Sequence, residues 1–415
     1  MIVQRPMRKS SLTIPFRRCR GLLVCGAALL LVQTGKASTS LEGQNPFQIS
    51  TLDTEWGTLS ADVAPDDHVA AVNSFGWENK SELVEQLQVW DFHKHTLVAS
   101  KTLMRQTLPK VDDAAINPGF VRFAQSGRKI VVCECNQGRL LVLEPKTLDE
   151  LQSIDLEMSS WPRVHPNASG FHSFVADVQV DERADRAAVL LAWWGLGGGE
   201  LRVYDLISGK IIQKWDFQAD VGKISLDPAG DMVAILFIPF PPGDRLLSLK
   251  ERNLSVLNVD SGETVTKINT GYVASSVAFV GNDRFATVSA NPEPRYFSKD
   301  TLKIWNARTG QLIREISSQP GGVHDTLLVS AGGQVALGYV GLDKERGHWW
   351  LGQESYLDNV YRRFRLWDLM TGQAIATSSD LPSLTGSAFA LSAKGDIVLI
   401  YPVASGGPLQ FYEMK

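Results

Sequence analysis

The chain has few of the residues on which catalytic and metal sites are usually built. Its 415 residues include four cysteines and seven histidines. It contains neither a Gly-x-Ser-x-Gly nucleophile elbow nor a His-Glu-x-x-His zinc motif. From its motifs we therefore predict no catalytic residue, no metal site and no cofactor.

An excess of positive charge is also missing. The net charge is −4, although residues 1–37 carry seven Lys and Arg and no acid. A basic stretch, a short apolar run at 22–32 and small residues at 35 and 37 are typical of a signal peptide, with an uncleaved anchor as the alternative. We predict a signal peptide over 1–37, a secreted or periplasmic protein, and no membrane span after cleavage.

Residues 38–415 then have a net charge of about −11, which gives no general attraction for nucleic acid or anionic lipid. We expect a protein or glycan as partner, no nucleic acid, and a monomer. Cys133 and Cys135 flank Glu134 in a predicted strand, so both thiols point to one face and a disulfide between them would be strained. We expect two small buried thiols, with a redox pair as the alternative.

What the chain does have is one hairpin design repeated along its length. One copy, 365–376, reads as a strand with the pair Trp367-Asp368, a turn at Thr371-Gly372 and a returning strand. The related strands lie at 87–91, 140–144, 201–205, 254–258, 302–306 and 409–413, which makes seven.

Upstream of each copy is an apolar run broken by a small polar turn. Asp227-Pro228-Ala229-Gly230 is the clearest example, because Pro and Gly stand where a tight turn requires them. The other turns lie at 64–67, 124–127, 181–185, 280–283, 330–333 and 392–395. Each unit therefore contains four antiparallel strands, a to d, and seven such units predict an all-β, seven-bladed β-propeller as one domain over 38–415.

At these residues the chain resembles the WD-repeat family and its degenerate bacterial relatives. Trp90-Asp91 and Trp367-Asp368 match the signature dipeptide, and the a–b turns stand where the family has Ser-Pro-Asp-Gly. The resemblance runs from about residue 47 to the end. The chain departs from the family in lacking the Gly-His pair before strand a and the regular Asp in the b–c turn.

The two ends of the chain predict how the ring closes. The last unit ends after its third strand, and 47–52 alternates as a strand should before the first complete unit. We predict that 47–52 pairs with 409–413 and supplies the fourth strand of the last blade.

The resemblance implies that the b–c and d–a loops open on one face, and the b–c loops are rich in aromatic residues. We predict that this face binds the partner, since large surface aromatics are common anchors of interfaces and sugar sites. The candidate residues are Trp77, Trp193, Trp194, Phe240, Tyr296, Trp349 and Trp350. The alternative is that each aromatic covers its own blade.

One enzymatic alternative remains, because some seven-bladed propellers are lactonases or dehydrogenase subunits. Acidic residues and a histidine cluster in one predicted loop, at Asp343, Glu345, His348 and Glu354. Such clusters are usually solvated loop charge, so we expect a non-catalytic binding or scaffold module and keep a lactone or ester hydrolase as the alternative.

Overall fold

The computed structural model describes eighteen segments of the chain. These segments are 47–52, 57–64, 68–78, 82–107, 119–124, 127–135, 137–157, 173–193, 198–218, 221–237, 253–270, 273–290, 301–317, 323–330, 333–342, 361–377, 387–402 and 408–413. All regular structure in them is β-strand, in seven four-stranded antiparallel sheets. The predicted all-β, seven-bladed propeller is confirmed.

The first three blades follow the N-terminal strand β1 (Phe47–Leu52). Blade 1 comprises β2 (Gly57–Val63), β3 (Val69–Glu78), β4 (Glu82–Asp91) and β5 (Thr96–Thr107). Blade 2 comprises β6 (Phe120–Ala124), β7 (Lys129–Glu134), β8 (Arg139–Leu143) and β9 (Glu150–Asp155). Blade 3 comprises β10 (Ser173–Val180), β11 (Arg186–Trp193), β12 (Gly199–Asp205) and β13 (Ile211–Phe217).

The remaining four blades complete the ring. Blade 4 comprises β14 (Val221–Leu226), β15 (Met232–Phe237), β16 (Leu254–Asn258) and β17 (Thr264–Ile268). Blade 5 comprises β18 (Val273–Phe279), β19 (Arg284–Ala290), β20 (Thr301–Asn306) and β21 (Leu312–Ser317). Blade 6 comprises β22 (Val323–Val329), β23 (Val335–Leu342), β24 (Tyr361–Asp368) and β25 (Ala374–Thr377). Blade 7 comprises β26 (Ser387–Leu391), β27 (Ile397–Pro402), β28 (Leu409–Glu413) and, as its outer strand, β1.

The ring closes as the sequence predicted. Strand β1 pairs antiparallel with β28, with Phe47 opposite Glu413 and Leu52 opposite Leu409. Blade 7 is therefore built from both ends of the ring, and its outer strand gives β28 a hydrogen-bonding partner that an open edge would lack.

Apolar side chains lie between the blades. The described residues form seven buried clusters, and each cluster joins one blade to the next around the ring. In β27, Ile397 and Leu399 face blade 1, whereas Val398 and Ile400 face blade 6. Because this strand is covered on both faces, it is continuously apolar rather than alternating.

The repeated hairpin places its acidic or amide residue at the c–d turn. In blade 6, Oδ1 of Asp368 accepts hydrogen bonds from the backbone N–H groups of Met370 (2.7 Å) and Thr371 (3.0 Å), and Gly372 adopts a φ of 77°. Asp205 in blade 3 accepts the same pair of bonds from Ile207 and Ser208. The acid of the Trp-Asp pair therefore caps a turn that requires positive φ at its glycine.

Candidate functional site

The antiparallel order of the strands gives the propeller two distinct faces. At the face that we call the b–c face, strand b ends and strand c begins. At the opposite face, the a–b face, strand a ends and strand b begins. The longest b–c connections, 238–253, 291–300 and 343–360, belong to the consecutive blades 4, 5 and 6, so the strand ends that they join lie in one sector of the b–c face.

Of the seven aromatic residues predicted for the partner site, only Trp77 has a described side chain. We expected residues 75–78 to form a b–c loop. Instead they belong to β3, where Trp77 pairs with Leu83 of β4 and is half-buried. The reason is that β3 pairs along its whole length with β4, so only 79–81 connect the two strands.

The other predicted aromatics cannot be placed in a shared site. Trp193 is the last residue of β11 and lies opposite Ser173 at the b–c end of blade 3, but its side chain is outside the described set. Five further candidates lie outside the described residues, namely Trp194, Phe240, Tyr296, Trp349 and Trp350. The acidic cluster of the enzymatic alternative, Asp343, Glu345, His348 and Glu354, also lies outside them. The partner site at the b–c face stays a prediction.

At the a–b face the structure shows a cavity that the sequence did not predict. Its volume is about 650 Å³, and the ends of the a strands of all seven blades line it. It therefore lies on the axis of the ring. Its charged lining residues are Asp62, Arg122, Asp181, Glu182 and Lys394.

Asp62 and Arg122 occupy neighbouring inner strands. Oδ2 of Asp62 accepts a hydrogen bond of 2.7 Å from the backbone N–H of Phe123, which links blade 1 to blade 2. Burial raises the pKa of Asp62, and the charge of Arg122 opposes that rise. Arg122 is half-buried and donates from Nη1 to the carbonyl of Val121 at 2.8 Å. Burial raises the pKa of Tyr401, and the charge of Arg122 opposes that rise as well.

Blade 3 contributes two adjacent carboxylates to the cavity. The side chain of Asp181 is fully buried, and its Oδ1 accepts from the backbone N–H groups of Asp185 (2.8 Å) and Arg186 (2.9 Å). No hydrogen-bond donor reaches its Oδ2 within the described part of the chain, where the guanidinium of Arg183 is 3.6 Å away. Burial raises the pKa of Asp181, and burial together with the charge of Asp181 raises the pKa of Glu182.

The bonding of the two cysteines differs from the prediction. We predicted free thiols, but Cys133 and Cys135 form a disulfide, and both are fully buried among apolar residues between blades 2 and 3. The strand β7 ends at Glu134, so Cys135 lies in a turn and the two Cα atoms are 5.0 Å apart. A fully extended chain would hold them about 6.6 Å apart, near the upper limit of the roughly 4.4–6.8 Å usual for disulfides, and the turn brings them closer.

In the described residues, no group of three or more His, Cys, Asp or Glu side chains is arranged to hold a metal ion. Nor does any helix in that part of the chain have the length and apolar character to cross a membrane.

The architecture defines the fold of the protein: a seven-bladed β-propeller. No protein-family model matches the chain, and no curated protein matches it significantly. Among solved structures, a chain in the crystal structure of the mitotic checkpoint complex superposes with a TM-score of 0.54 at 13% identity, covering 94% of this chain and 99% of that one. At this identity the likeness shows the fold. In fold the chain is similar to a WD-repeat propeller.

Proposed function

We propose that this protein is an exported, non-catalytic binding propeller that recognises a protein or glycan partner through its b–c face. The observation that carries the proposal is the position of the three longest b–c connections on consecutive blades. Insertions on one face of a rigid scaffold are where binding residues are most often found. One solved structure with a similar fold is that of a complex, which supports a binding role.

The composition of these connections also favours binding. Their sequences include Phe240, Tyr296, Trp349 and Trp350. Aromatic side chains offer large contact area with little rotamer entropy to lose, and Tyr and Trp add a polar group for hydrogen bonding.

Two observations support export. Residues 1–37 have the order of a signal peptide, and the Cys133–Cys135 disulfide is of a kind that forms and persists mainly in oxidising compartments. Cell fractionation followed by intact-mass measurement tests this. We expect an extracytoplasmic protein that lacks residues 1–37 and resists alkylation in denaturant until it is reduced, and a full-length cytoplasmic product with four free thiols would refute export.

The partner site is tested by capture with matched variants. Three baits are offered to envelope proteins and to a glycan array. They are the wild-type chain, the pair Tyr296→Ala and Trp350→Ala in the b–c connections, and the pair Ile207→Ser and Met370→Ser on the opposite rim. Ile207 and Met370 lie in c–d turns and are 70% and 56% exposed, so their replacement removes apolar surface away from the b–c face.

We expect the wild type and the c–d turn variant to retain the same protein or glycan, and the aromatic variant to lose it by at least about tenfold, the effect of one anchor residue. Equal retention by all three baits, or loss with the c–d turn variant alone, would show that the b–c face is not the binding surface.

A further inference from the structure

Charge alternates around the axial cavity at the a–b face. In chain order around the ring, blade 7 contributes Lys394, blade 1 Asp62, blade 2 Arg122 and blade 3 the pair Asp181 and Glu182. Positive and negative groups therefore follow one another over four consecutive blades. A ligand with charge of one sign only would meet repulsion from the neighbouring blade, whereas a ligand carrying both signs matches the arrangement.

The blade 2 and blade 3 groups retain hydrogen-bonding capacity. A guanidinium has five N–H donors, and Arg122 uses one of them on the Val121 carbonyl; the described hydrogen bonds name no acceptor for the others. In blade 3, Oδ2 of the fully buried Asp181 accepts no hydrogen bond from those residues, and Nε of Arg183 lies 3.6 Å from it. The negative charge of Asp181 adds to that of the exposed Glu182 beside it, so this side of the cavity favours a cation.

The opposite wall of the cavity is apolar. Blades 5 and 6 line it with Val277, Ala278, Phe279, Leu327, Leu328 and Val329. Leu328 and Val329 are half-buried, so part of their surface is open. The volume of about 650 Å³ falls within the range of roughly 300–1,000 Å³ that is usual for small-molecule sites.

We propose that this cavity binds a small zwitterion of the α-amino-acid type that carries an apolar side chain. The carboxylate of the ligand pairs with the Arg122 guanidinium, its ammonium group faces Asp181 and Glu182, and its side chain lies against Leu328 and Val329. Both polar contacts are charge-assisted, which makes them roughly twice as strong as neutral hydrogen bonds. The proposal is independent of the b–c face, because the cavity opens at the other end of the ring.

Calorimetric titration of the whole protein with matched probes tests this chemistry. L-Leucine carries both charges and the apolar group, 4-methylpentanoate lacks the ammonium, 3-methylbutylamine lacks the carboxylate, and glycine lacks the apolar side chain. We expect L-leucine to bind at least tenfold more tightly than each of the other three. Absence of binding by both L-leucine and L-phenylalanine, or equal affinity for L-leucine and a singly charged analogue, would overturn the proposal.

Two variants locate the charges. Arg122→Gln should weaken L-leucine binding at least tenfold and leave 3-methylbutylamine binding unchanged. Glu182→Gln should weaken L-leucine and 3-methylbutylamine and leave 4-methylpentanoate unchanged. Arg128→Gln, at an exposed arginine outside the cavity lining, is the matched control and should bind L-leucine as the wild type does.

Asp181 is not substituted, because its Oδ1 also holds the a–b turn of blade 3 and its loss could unfold that blade. Thermal melts of each variant verify that it is folded before titration. Binding of L-leucine that survives Arg122→Gln in a folded protein would place the ligand elsewhere and refute the assignment.

Discussion

At the scale of single residues, burial decides what a turn-capping carboxylate does to stability. Asp205 and Asp227 both accept backbone N–H groups at tight turns. These hydrogen bonds lower the pKa of the half-buried Asp205, whereas burial raises the pKa of Asp227, which is 1% exposed, to about 6. The same hydrogen-bonding pattern therefore favours the charged form at one turn and the neutral form at the other, because desolvation outweighs the N–H donors only where water is excluded.

The raised pKa of Asp227 predicts a pH dependence of stability. Between the unfolded value of 3.8 and the folded value of about 6, the folded state binds more protons than the unfolded state. The free energy of unfolding therefore falls as pH rises through this window, by roughly 3 kcal/mol in total. Asp227→Asn removes that loss, so the variant should gain stability relative to the wild type between pH 4 and pH 7.

Urea unfolding of both proteins at pH 4, 5, 6 and 7 measures the difference. Asp216→Asn, which removes a carboxylate that is 66% exposed, is the control and should follow the wild-type curve. Parallel curves for Asp227→Asn and the wild type would show that this carboxylate is not destabilised by folding.

At the scale of the element, the c–d hairpin serves its own blade and its neighbour at once. Its turn glycine requires positive φ, and that glycine also approaches strand d of the preceding blade. In blade 6 a Cβ built on Gly372 would lie 3.3 Å from Nη1 of Arg314 and 3.3 Å from Cγ1 of Ile316, both in β21. The turn sequence is thus part of the contact between blades as well as of the hairpin.

Gly372→Ala should lower the free energy of unfolding by about 1–2 kcal/mol, because an alanine at φ 77° is strained. Gly372→Asn is the matched comparison, since asparagine tolerates the left-handed conformation, and it should cost less. Chemical denaturation measures both. If alanine costs no more than asparagine, the backbone conformation is not the reason for this glycine.

At the scale of the whole molecule, stability depends on closing the ring. Seven interfaces between adjacent blades bury apolar residues, and the one between blades 7 and 1 includes Phe92 stacked on Phe411 at 4.3 Å. Strand β1 completes blade 7 by pairing with β28. Without it, the backbone of β28 would present an unpaired edge next to this interface.

A chain that begins at residue 53 should therefore melt at a lower temperature than one that begins at residue 47, by on the order of 5 °C for a loss of a few kcal/mol. The two chains differ only in β1, which makes the longer one the control. Identical melting curves would mean that β1 does not close the ring. An added peptide with the sequence of 47–52 should restore part of the loss.

Much of the architecture could be predicted from the sequence because its signals are local. The alternation in 365–376, the glycine of its turn and the recurrence of that pattern are readable within one hairpin. The pairing of β1 with β28 was predictable for a related reason, since the last unit lacked a fourth strand. By contrast, the place of Trp77 within β3 depends on how far β3 and β4 stay paired. The local sequence pattern does not show the length of that pairing.

The sequence by itself determined the number of blades, the strand order and the ring closure, because repeats of hairpins leave few other ways to bury their faces. Only the tertiary structure decided the chemistry of the cavity. Asp62, Arg122 and Asp181 lie in three different blades and share no motif, and they meet because every inner strand ends at the axis. The same holds for the Cys133–Cys135 disulfide and the pKa of Asp227, since electrostatic and bonding interactions depend on distances and burial that exist only once the ring has formed.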